Sequence, residues 1–139
     1  MGLAERRATK EFETNVFPGL KAEVLKAAGI DVPVEIDWES LQKTDTSPDY
    51  YRESWTKVYF TPVVEAFKAI CIDDMGRDAL KGGLKKIVIH NKHDIYYGDR
   101  WASFDKASGV LTLDHQPTSN VDNVEERAKG LQKELEEKL

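Results

Sequence analysis

RWASFDKASGVLTLDH, residues 100–115, reads as two short strands around a tight turn, and it decides how the apolar residues divide between two faces. Directly opposed residues of an antiparallel pair point the same way. Pairing Phe104 with Leu111 and Ala102 with Leu113 therefore gathers four apolar side chains on one face. It leaves Lys106–Gly109 as a four-residue turn. A three-residue turn would set Phe104 opposite Val110 and split that face.

Working outward, KKIVIHN (85–91) alternates as a strand, with Ile87 and Ile89 on one side and Lys86, Val88 and His90 on the other. VPVEIDW (32–38) alternates likewise through Val32, Val34, Ile36 and Trp38, and Pro33 points to a sheet edge. The remaining segments carry helical spacing. Residues 4–28 form one pattern, interrupted at Pro18-Gly19 and stopped by Gly29. After a polar loop, Ser47-Pro48-Asp49 starts the longest helix, with Tyr51, Trp55, Val58, Tyr59, Val63, Phe67 and Ile70 along one face and a bend at Pro62. Gly76 is expected to end it, before a short piece over RDALKGG. The last helix presents Val121, Val124, Ala128, Leu131 and Leu135 as a stripe, and Gly130 in its middle signals close packing.

The expected fold is therefore α+β: a four-stranded, mostly antiparallel sheet with helices packed on one face, in the order α-β-α-β-β-β-α. The chain of 139 residues is one domain in this reading, 1–139, able to bury a core without staples. The core face collects Val34, Ile36, Ile87, Ile89, Ala102, Phe104, Leu111 and Leu113. The opposite face carries Glu35, Val88, His90, Trp101, Ser103, Val110, Thr112 and Asp114, open to solvent or to a partner.

Composition narrows the function classes. The net charge of -5, with no basic cluster, argues against nucleic-acid binding. No apolar run approaches the length of a membrane span. The charged first residues carry no secretion signal, and the single cysteine, Cys71, excludes an internal disulfide. The cytoplasm is the expected compartment, and Cys71 reads as a small buried hydrophobe.

HNKHDIYYGDRW, residues 90–101, concentrates the chemistry. Metal binding would need His90, His93 and His115 to converge. Face alternation opposes this, placing His90 and His115 on opposite sides of the sheet. Ser103, His90 and Asp114 share a face, but Ser103 and Asp114 lie two residues apart along the strand, and no nucleophile elbow is present. Asp73, Asp74 and Asp78 read as a solvated helix end, and Gly82-Gly83 lacks phosphate-loop spacing. No catalytic residue, metal ligand or cofactor is assigned.

Tyr96, Tyr97, Arg100 and Trp101 remain, residue types enriched at binding hot spots. With His90 they form the expected contact site for a protein partner or a second copy of the chain, through the open sheet face and the 91–101 connection. The chain thus reads as a binding domain rather than an enzyme. The alternative is a small-ligand- or metal-dependent enzyme using His90, His93 and nearby acids.

Overall fold

The computed structural model describes residues 2–42 and 46–139, so the middle of the polar loop expected after the first strand lies outside the described residues. Helices α1 (Leu3–Glu11) and α2 (Phe17–Ala28) are joined by a π turn, Phe12–Val16. Strand β1 (Val34–Ile36) is followed by the short α3 (Trp38–Leu41). A 3-10 turn (Pro48–Tyr50) leads to α4 (Tyr51–Trp55), a second π turn (Thr56–Phe60) and α5 (Thr61–Ile70). Then come α6 (Asp74–Gly83), β2 (Lys86–His90), β3 (Ala102–Asp105), β4 (Val110–Asp114) and α7 (Val124–Lys138).

Both π turns have one cause. Pro18 and Pro62 are each the second residue of the helix that follows. Proline has no N–H to donate, and its ring collides with the carbonyl four residues back. A widened turn just before each proline carries the helix past the ring. The two turns also pack together: Phe12 lies against Trp55 (5.1 Å between ring centroids), and Phe17 and Phe60 stand 5.8 Å apart. Trp38, expected as the end of the first strand, begins α3 instead, because Asp37 caps that helix at the Ser40 N–H. Its ring still reaches the aromatic cluster, 5.4 Å from Phe17.

The class is α+β with a four-stranded sheet, but the sheet is mixed, in the order β1-β2-β4-β3. β1 pairs with β2 in parallel, β2 with β4 in parallel, and only β3 with β4 antiparallel. This corrects the mostly antiparallel arrangement, and α3 and α6 add helices to the simple expected order. The reason is non-local. The 91–101 connection carries the chain from the end of β2 past the position that β4 later takes. β4 then returns between β2 and β3.

The hairpin register is as the sequence pattern requires, Ala102 opposite Leu113 and Phe104 opposite Leu111. Gly109 closes its turn at φ 74°, a left-handed conformation that glycine adopts without strain. Ile87, Ile89, Phe104, Leu111 and Leu113 are all buried, and α2, α5 and α7 contribute Val24, Val63, Phe67, Leu131 and Leu135 to the same core. Both sheet edges are protected against further pairing. β1 has three residues behind Pro33, and on β3 the Phe104 N–H donates to the Glu134 carboxylate of α7 at 2.8 Å. No helix among the described residues is long and apolar enough to cross a membrane.

Candidate functional site

Two parallel neighbours, β2 and β4, end side by side, with His90 in register with Asp114. Carboxyl ends of parallel strands are where open sheets hold ligands, because the connecting loops diverge there. The 91–101 connection crosses this end, and its first turn is tightly built. The Asn91 N–H donates to the Ser40 hydroxyl of α3 (3.0 Å), and the Asp94 N–H to the Asn91 side chain (3.2 Å). The Lys92 N–H donates to Asp114 Oδ1 at 2.9 Å.

That turn delivers His93 to the same carboxylate. Asp114 Oδ2 lies 2.5 Å from His93 Nδ1 and 3.6 Å from His90 Nε2. Burial pushes the Asp114 carboxyl up, but the hydrogen bonds from His93 and from Lys92, with His90 beside it, more than offset this and hold it below its ordinary value. An ionised carboxylate only accepts, so His93 carries its proton on Nδ1. Its Nε2 lies on the far side of the ring, on a side chain 71% exposed. His90 and Asp114 are by contrast nearly covered, at 12% and 10%.

The third histidine is elsewhere. His115 points to the helix side and is completely buried, its Nδ1 donating to the Gln116 carbonyl at 2.6 Å. Burial lowers its pKa to about 4. Its own carbonyl accepts from the Tyr59 hydroxyl at 2.6 Å. Among the described residues no group of three His, Cys, Asp or Glu side chains is arranged to hold a metal ion. Ser103 faces Thr112, one pleat away from the His90–Asp114 row, so it does not join them.

The four aromatic and arginine candidates divide. Trp101 is buried, a correction to its expected place on the open face. β3 starts only at Ala102, so strand alternation does not extend to Trp101. Its indole N–H donates to the Arg127 carbonyl at 2.8 Å, and its ring stands edge-on to His115. Arg127 is buried too, and its guanidinium satisfies the carbonyls of Asn120 and Val121 (both 2.7 Å) and Lys57 (3.2 Å). Burial pulls its pKa below the ordinary arginine value.

Tyr96, Tyr97 and Arg100 remain outside. Both tyrosines are about half exposed, their rings 4.4 Å apart, and the Arg100 guanidinium lies 5.9 Å from the Tyr97 ring centre. The backbone beneath them is fixed. The Tyr96 carbonyl accepts from Asn120 (2.8 Å), the Ile95 carbonyl from the Gln116 N–H (2.7 Å), and the Gly98 N–H reaches Glu126 (3.3 Å). Gly98 also meets Gly130 of α7 so closely that a Cβ on Gly130 would lie 1.9 Å from the Gly98 carbonyl oxygen. The glycine in the middle of the last helix is explained by that contact.

The sequence reading missed Lys92, Asn91 and Ser40 as the builders of the His93 turn. The Asn91/Asp94 spacing was the available signal, since Asn and Asp side chains bond backbone two or three residues away. No protein-family model, curated protein or solved structure matches the chain.

Proposed function

We propose that this chain is a protein-contact domain whose surface is centred on Tyr96, Tyr97 and Arg100. The observation that carries the reading is that three hot-spot side chains stay in water on a backbone tied to α7 and to residues 116–120. A patch ordered before binding loses little conformational freedom on association, which favours affinity. The open sheet face contributes less than expected. Without Trp101 it offers half-buried Val88 and Val110 beside the Lys86–Glu35 ion pair (2.8 Å). Self-association through that face has correspondingly little apolar area to drive it.

The test is capture of partners from the native host with wild-type protein, followed by affinity measurement on the recovered partner. Tyr97→Ala and Arg100→Ala should each weaken binding by roughly ten-fold or more, the scale of a hot-spot truncation. Equal affinity for all three proteins removes the reading.

One observation favours a second reading, an acid–base site for a small substrate. Asp114 orients His93 through Nδ1 and turns the Nε2 side of an exposed ring outward, the geometry a general base uses. It ranks second because water screens a side chain this exposed. Imidazole nitrogen NMR should find neutral His93 protonated at Nδ1. Equal populations of the two tautomers would remove this reading.

A further inference from the structure

The most exposed large apolar side chains among the described residues are Ile72 (81%) and Met75 (83%), at the corner between α5 and α6. The corner is rigidly made. Asp73 caps α6 by accepting from the Gly76 N–H (2.8 Å), and Arg77 pairs with Asp74 and donates to the Cys71 carbonyl (3.0 Å). Gly76 was expected to end a helix but sits in the first turn of one. A Cβ there would lie 1.6 Å from the Ile70 carbonyl oxygen, so glycine lets α6 start hard against the end of α5. Ile72 and Met75 are therefore held out by a fixed backbone, although their burial would release apolar surface from water.

Beside them runs a groove of about 350 Å³, lined also by Leu135 and Leu139 at the end of α7 and by Ala69 and Ile70 of α5. The charged residues lining it are Asp73 and Glu136, both exposed and both acidic. Of the cations close in sequence, Arg77 pairs with Asp74 and Lys138 with Glu134 at 2.9 Å, while Lys68 and Lys133 do not line the groove. The site is an apolar trough with an acidic rim on a protein of net charge -5.

We propose that this corner docks a basic amphipathic helix of a partner protein. An apolar groove with projecting anchors suits the helix-in-groove mode, in which residues spaced three and four apart on the incoming helix fill the trough. The rim chooses the flanks: lysine or arginine beside the apolar stripe meets Asp73 and Glu136. A second copy of this chain is the poorer occupant, because a two-fold contact would bring two acidic rims together. An anionic lipid surface is opposed by the same charges.

The proposal is independent of the Tyr96–Arg100 surface, which contacts the opposite half of α7. It is tested with a fluorescent helical peptide of about fourteen residues, roughly four turns, carrying leucine at positions i, i+3, i+4 and i+7 and lysine elsewhere. Saturable binding is expected. It should be weakened about ten-fold by Met75→Glu or Ile72→Glu, at unchanged melting temperature, and left unchanged by Tyr97→Ala. A glutamate version of the peptide should bind at least about ten-fold less tightly. Three results would overturn the proposal. They are equal binding of a scrambled lysine–leucine peptide, equal binding by the Met75→Glu protein, and a wild-type dimer that Met75→Glu dissociates.

Discussion

Trp101 and Tyr97 are four residues apart in one connection, yet they face different worlds. Trp101 is buried, with its N–H on Arg127, whereas Tyr97 is half exposed beside Arg100. The same contrast separates the histidines: His115 is sealed among Trp101, Tyr59 and Arg127, while His93 reaches into water from the Asp114 carboxylate. One side of the connection holds the fold together, and the other side lies in solvent, where the proposed contact surface is centred. Aromatic composition alone does not distinguish these roles; Trp101 lies under α7 with its N–H on the Arg127 carbonyl, and Tyr97 lies beyond that cover.

Mutations on the buried side should show the largest effects. Trp101→Ala empties a core site and leaves the Arg127 carbonyl without its donor, so unfolding free energy should fall by about 3–5 kcal/mol, read from urea denaturation. A loss under about 1 kcal/mol would mean the ring is not in the core.

Acid should attack the same side next. His115 is neutral in the folded protein, with a pKa of about 4 against 6.5 when unfolded. Between those values the unfolded chain binds the extra proton, so stability falls as pH drops from 6.5 to 4, by about 3 kcal/mol in all. His115→Gln should flatten that part of the curve. Asp114 acts lower: its depressed pKa contributes stability above the unfolded carboxylate value, lost as pH falls through the folded one. A wild-type curve that is level between pH 6.5 and 4 contradicts the burial of His115.

Gly130→Ala gives a smaller change with a telling sign. Helix propensity alone predicts a gain of roughly 1 kcal/mol. The Gly98 carbonyl in the way predicts a loss of about 2 kcal/mol or more. A higher melting temperature would show that the connection does not rest on α7.

The histidine part of this division was legible in the sequence and the tryptophan part was not, for causes both local and non-local. The hairpin register follows from face alternation, and Gly130 signals a close contact because glycine is costly in a helix centre. Alternation also set His90 and His115 on opposite sides, as the structure has them. It failed for Trp101 because the strand had not yet begun, and for Trp38 because Asp37 captured the chain into a helix. The parallel pairing of β2 with β4 left no mark in either strand, since Ile87-Val88-Ile89 and Leu111-Thr112-Leu113 alternate equally well in both kinds of sheet. The meeting of His93 with Asp114 depends on that pairing and was hidden with it.

The smallest stability effects belong to the exposed side. Tyr97→Ala and Arg100→Ala should each change unfolding free energy by less than about 0.5 kcal/mol, as surface substitutions do. The most direct measurement is thus urea unfolding of Trp101→Ala and Tyr97→Ala side by side. The account predicts a loss of about 3–5 kcal/mol for the first and almost none for the second. Similar losses for both would make Tyr97 part of the scaffold and leave the proposed contact surface without its centre.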